Sequence, residues 1–369
     1  DGIKGRDSIA VLDGIITIDA GGDGLQSNND EDAEKGTIAI EGGTLDITAG
    51  LDGIQAQTSL LVSGGSITIA SGSSGSAGSG KGLKAGVNIT IEDGSIEIDT
   101  VDDAIHSNDS IVINGGEILV ASADDGIHAD TSLEINGGYL TVAQSYEGIE
   151  STAITINDGS LYLVASDDGI NAASGGGGAW GPGASDSSLL INGGCIFVDA
   201  GRDCIDVNGQ GTMNEGVVIL NGSAVGDNPS LDVDGMLEIH GGFLVGVGST
   251  TMVQSPSAAS TQYSVLEILP SSQPAGSMIH IESEDGQEIL TYVPEKTYQA
   301  VVISSPELED GTTYIVYTGG SSTGKVTDGL YSDGTYTGGT QASSLTITSM
   351  VTGESTGMGG FRGGGRSRP

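Results

Sequence analysis

A five-residue phrase, usually Asp-Gly followed by an aliphatic, a polar and a small residue, returns so regularly that it limits the folds open to this chain. It reads DGIKG at residue 1, DGLQS at 23, DGIQA at 52, KGLKA at 81, DAIHS at 103, DGIHA at 125, EGIES at 147, DGINA at 168 and DCIDV at 203. Where nothing is inserted the spacing is 21 to 22 residues, a period that belongs to stacked repeats. A second motif follows about ten residues later in each unit. It runs from LDG (12), EGG (41), SGG (63), EDG (92), NGG (114) and NGG (136) to NDG (157), NGG (192), LNG (220) and HGG (240). Its last residue is always Gly and its middle one Gly, Asp or Asn. These types accept positive φ, so each unit turns sharply there.

Short alternating segments flank that turn, such as NITI (88) and SIEI (95), or SLEI (132) and YLTV (139). A period of two sends one apolar row inward and one polar row outward. One unit cannot bury its apolar row alone, but units stacked ~4.8 Å apart close three parallel sheets around a shared interior. The expected architecture is all-β: a right-handed three-sheet parallel β-helix, or solenoid, over residues 1–262. A C-terminal β-rich section (263–350) then caps it, with Tyr-rich strands over the last coil's open edge, which would otherwise invite pairing with another chain. The Gly/Arg-rich tail (351–369) reads as disordered. Loops are expected at 28–36, 71–80, 173–187 and 208–216.

Aromatics make up only 4% of the chain, which suits a narrow interior of Ile, Val, Leu and Ala. Eleven Lys and Arg against 50 Asp and Glu give a net charge of −39. That balance argues against nucleic acid or anionic membrane as partner. It suits calcium as cofactor, although most of the carboxylates need only keep the chain in solution. No apolar run is long enough to span a bilayer, and no signal peptide is visible. The chain opens inside a repeat and reads as a mature or trimmed form. Cys195 and Cys204 fall at different phases of the repeat and read as packed residues, not a disulfide.

Acids stack at the corner before the first strand: Asp102 and Asp103, Asp124 and Asp125, Glu147 beside Tyr146, Asp167 and Asp168, and Asp203 beside Arg202. Carboxylates about 5 Å apart raise each other's pKa unless a cation or donor intervenes. Asp102, Asp103, Asp124, Asp125, Glu147, Asp167 and Asp168 are the candidate calcium ligands; acceptance of turn amides is the alternative role, and both can hold at different coils. Two positions beyond the Gly runs an outward polar row: Lys4, Gln26, Gln55, Lys84, His106, His128, Glu150, Asn171 and Asp206. It could hold a glycan along the axis or be an ordinary solvated face, and Lys81 and Lys84 could be counter-ions of the acid column. Trp180, the sole tryptophan, stands in the loop GGGGAWGPG and could stack on a sugar ring or fold over an apolar patch. The carbohydrate-binding candidates are Trp180, His106, His128, Lys84, Tyr146 and Glu150.

The DDGIHAD…LEINGG repeats and the segment 288–340, from EILTYVPEKTYQ to DGTYTGGT, resemble a secreted clostridial family of carbohydrate-binding parallel β-helix proteins, similar in fold to pectate lyases. The resemblance covers almost the whole chain. It implies binding of cellulose and polygalacturonate, bound calcium, no established catalysis and an extracellular or cell-surface place in a bacterium, with plant cell-wall polysaccharide as partner. Pectin-cleaving enzymes share the fold, and fold does not fix function. Against an enzyme, the acids recur coil after coil as structure, no RIK-like basic strand occurs, and Arg202 is the lone Arg of the central coils. A structural alternative is end-to-end self-association of β-helices into a fibre.

Overall fold

The computed structural model describes residues 1–72, 80–174, 186–223, 226 and 228–353. Ten coils are present among them, eight made of three short strands and two in which the first two strands are continuous. The fourth coil shows the plan, with strands Leu83–Ala85, Asn88–Ile91 and Ser95–Thr100. Each strand pairs in parallel with its equivalent one coil on: Leu83 faces Ile105, Ile89 faces Ile111 and Ile96 faces Ile118. Three ladders result, and the parallel β-helix expected from the repeat is the observed fold. In the sixth and seventh coils the first corner is drawn out, so Asp125–Ile135 and Glu147–Ile156 run as single strands and fuse the first two ladders.

Alternation sets the interior. Ile54, Leu83, Ile105, Ile127, Ile149 and Ile170 stack at 0% exposure along the first ladder, and burying each such side chain stabilises by about 1.5–3 kcal/mol. At the second corner the closing Gly has positive φ in all ten coils, from Gly14 to Gly242. An asparagine ladder reinforces this corner: Asn136 donates to Asn114 (2.8 Å), Asn157 to Asn136 (2.6 Å), Asn192 to Asn157 (2.7 Å) and Asn214 to Asn192 (2.8 Å).

Two expectations are corrected here. Residues 208–216 are not an insertion: Gln210–Met213 is the ninth coil's second strand, and Asn214 to Gly216 is its corner. The LNG at 220 lies at the end of the third strand, Val217–Asn221. QGTM carries too few apolar residues to read as a strand, which leaves the next Asn-Gly to imitate the turn. The tenth coil opens on Pro229 and Ser230 where five of the other nine have Asp-Gly, and its first strand is Leu231–Val233.

The C-terminal section closes the helix in two ways. Tyr298–Ser304 pairs antiparallel with Phe243–Gly248, the third strand of the last coil, and Ser264–Gln273 follows. A second, antiparallel sheet, including Ile279–Ser283, Glu288–Tyr292 and Thr313–Thr318, packs on the outer face of the third ladder. Phe197, Ile219, Val245 and Val247 of the coils meet Ile281, Leu290, Tyr292 and Val316 in this second core. Lys296 pins the section down, with Nζ donating to the carbonyls of Ala200 and Asn221 and pairing with Asp199. Cys195 is exposed and Cys204 buried, both as free thiols. No helix among the described residues is long and apolar enough to cross a membrane.

Candidate functional site

The outward row of the first ladder is held in strict register. Lys84 faces His106, His106 faces His128, His128 faces Glu150 and Glu150 faces Asn171. Asp206 and Asp232 continue it. The His106 and His128 rings lie 5.1 Å apart, tilted by 53°. Beyond them opens a pocket of about 390 Å³ lined by His128, Ala129, Asp130, Glu150, Ser151 and Ala173. Lys84 is engaged with Asp52 at 2.9 Å, and Tyr146 is 48% exposed on the neighbouring corner. Trp180 lies outside the described residues.

At four coils the repeated Asp serves its own corner, where its Oδ1 accepts the amide of the equivalent residue one coil on. Asp1 takes that of Asp23 (3.3 Å), Asp23 that of Asp52 (3.1 Å), Asp52 that of Lys81 (2.9 Å) and Asp168 that of Asp203 (3.0 Å). In the fourth coil Lys replaces Asp. The Lys81 ammonium lies 2.9 Å from Asp102 and also pairs with Asp103. Burial opposes the Lys81 charge, yet its bonds to Asp103 and Asp102 raise its pKa. Burial likewise opposes the Asp103 charge, but bonds from His106 and Lys81 hold the carboxyl well below the usual range. Asp124 is raised by partial burial and by its acidic neighbours, Asp125 first.

One coil on, His128 Nδ1 sits 3.2 Å from both Asp125 and Glu150. The bond to Asp125 outweighs burial and lifts its pKa to about 9. Beyond His128 the built-in cations thin out. Burial pushes Glu147 up to about 8, only partly offset by the amide of Asn171. Arg202 pairs with Asp167.

Among the described residues, five groups bring possible ligand atoms within 4.8 Å of one another: Asp102, Asp103 and Asp124; Asp103, His106 and His128; Asp125, His128 and Glu150; Glu147, Asp167 and Asp168; and Asp168, Asp203 and Asp206. Several acidic groups could therefore hold a metal ion. The first three contain a His or carry Lys81, so a cation would compete with internal charges there. The last two are all carboxylate, the donor set a hard cation prefers, with Arg202 paired to Asp167 in the fourth. Sequence reasoning places Asp203 in the acid column and Asp206 in the outward row without joining them. The signal that joins them is their three-residue spacing, the same as Asp103 to His106.

No curated protein and no solved structure matches the chain. Residues 1–126, which include Lys84, His106 and the Asp102 to Asp125 corner but stop short of His128, match a family model described as a carbohydrate-binding domain-containing protein.

Proposed function

We propose that the protein is a non-catalytic, extracellular polysaccharide-binding protein whose binding face is the outward row of the first ladder, centred on His106, His128 and Glu150. The observation that carries this reading is the register: side chains at one-coil pitch form a straight polar track that leads into the pocket beside Glu150. A linear glycan laid along the axis meets a donor or acceptor at each coil. Catalysis is not part of the proposal, because the corner acids recur along the repeat and four of them, Asp1, Asp23, Asp52 and Asp168, serve as structural acceptors.

At −39 the protein repels acidic sugars. Cellulose needs no intermediary, whereas polygalacturonate needs a shared cation. Glu147, Asp167 and Asp168 supply oxygen ligands suited to calcium, whose coordination number leaves room for uronate oxygens. A pull-down panel of insoluble glycans, with and without chelator, tests this. Chelator should abolish polygalacturonate binding and spare most cellulose binding. His106→Ala with His128→Ala should weaken both by about tenfold, the loss of roughly 1.4 kcal/mol. Retention of neither glycan by the unmodified protein, or binding unchanged in the double variant, would refute the proposal.

A further inference from the structure

Tyr292, Tyr298 and Tyr314 of the C-terminal section are buried in the second core. Two other tyrosines lie on the opposite face of the antiparallel sheet. Alternation along Ile279–Ser283 and Thr313–Thr318 sends Ile279, Ile281 and Val316 into that core. It turns His280 and Tyr317, partners across the ladder, to the outer side. Tyr336 comes from a short ribbon in which Tyr336–Thr337 pairs with Ser321–Ser322. Its ring lies flat over His280, with centroids 3.9 Å apart and planes within 12°, and His280 beneath is 1% exposed. Tyr317 stands alongside, 5.9 Å from Tyr336 and tilted by 50°.

Glycines shape the seat of this ring. A Cβ at Gly339 would overlap the Tyr336 hydroxyl, and one at Gly320 would come within 2.8 Å of its Cε2. The hydroxyl donates to the Gly319 carbonyl at 2.9 Å. One ring face is taken by His280 and the hydroxyl edge is tied down, so the exposure that half-buried Tyr336 keeps lies on its outer face. Carboxylates flank the imidazole below: Glu282 is 3.3 Å from Nε2 and Glu288 is 3.9 Å from Nδ1, with side chains 29% and 34% exposed. A flat aromatic face beside hydrogen-bond acceptors suits a pyranose, whose C–H face stacks on the ring while its hydroxyls donate to the acids. The same acids repel a uronate. β-Linked glucose, with its substituents equatorial, presents such C–H faces without charge. We propose that Tyr336 and Tyr317, with Glu282 and Glu288, form a second glycan site, for neutral β-linked glucan, separate from the coil face. The inference rests on the reading of the chain as a polysaccharide binder. It adds a second point of attachment, which raises avidity for a long polymer without tightening either site.

The test titrates the full chain with cellohexaose by calorimetry, with a galacturonate oligomer in chelator as the comparison. Tyr336→Ala should weaken the C-terminal site by about tenfold, and Tyr336→Phe, which restores the ring, should recover most of that loss. The His106→Ala, His128→Ala variant isolates the site: it should still bind cellohexaose, and adding Tyr336→Ala should remove what remains. Should the alanine variant fail to fold, NMR of the unmodified protein decides. Tyr336 ring signals, assigned with Tyr336→Phe, should shift with cellohexaose and stay in place with the galacturonate oligomer. Unshifted ring signals, or affinity and stoichiometry unchanged by Tyr336→Ala, would overturn the second site while leaving the coil face standing. Failure of the unmodified protein to bind either glycan would overturn both.

Discussion

Glycine at the second corner answers two separate demands. Gly138 has φ +89, and a Cβ there would come within 2.7 Å of the Gly116 carbonyl oxygen in the coil before it. Gly14 has φ +117 but nothing within 4 Å of the added carbon. Gly14→Ala therefore meets only the left-handed penalty of about 1–2 kcal/mol. Gly138→Ala adds a backbone clash that a stacked coil cannot relieve without moving its neighbour. Urea denaturation should show the larger loss at Gly138; equal losses would mean that coil contact adds nothing to the requirement.

The third ladder changes character along its length. Its outward row reads Thr68, Glu97, Leu119, Thr141, Tyr162, Phe197, Ile219 and Val245 in register. Thr68 and Glu97 face solvent and Leu119 and Thr141 are half-buried; the aromatic and aliphatic half from Tyr162 onward lies under the C-terminal sheet, with Phe197 stacked on Tyr162 at 4.8 Å. Phe197→Ala should cost about 3–5 kcal/mol through the cavity it opens. Thr68→Ala, at the equivalent exposed position, should stay within about 0.5 kcal/mol. Chemical denaturation of the two variants checks this, and a small effect at Phe197 would mean the C-terminal sheet is only loosely applied.

On the scale of the molecule, the protein gathers acids that prefer a proton. Burial and neighbouring acids push Asp203 up to about 8 and Asp206 to about 7, as burial does for Glu147. An acid with a raised folded pKa binds more protons folded than unfolded, so stability falls as pH rises from the ordinary carboxylate range through the folded value. His128 acts in the same direction. Its contribution is complete below the unfolded value of about 6.5 and is lost as pH rises through about 9. In chelator, Tm should fall steadily from pH 5 to 9, a change on the order of 2–4 kcal/mol. His128→Gln should flatten the upper part of that fall. A Tm that is level or climbs across this range would contradict the assignment.

What the sequence determined by itself was periodic. A turn every 21 to 22 residues, strict alternation between turns and a Gly where φ must be positive leave a stacked coil as the way to bury the apolar row. The outward row was legible for the same reason, since register follows from the repeat. Tertiary structure decided what depends on a neighbour one coil away or on a distant segment. It supplied Lys81 to Asp102 and Asp103, and it left Asp203 facing a proline 26 residues on. It also laid the C-terminal sheet over Phe197 and Ile219, although the shift from Thr and Glu to Phe and Ile along that row was already written in the chain. A repeat fixes where each side chain points, because backbone geometry is local. Whether a given carboxylate meets an amide, a cation or nothing depends on whether the neighbouring coil departs from the repeat, and only the stacked structure puts that coil beside it.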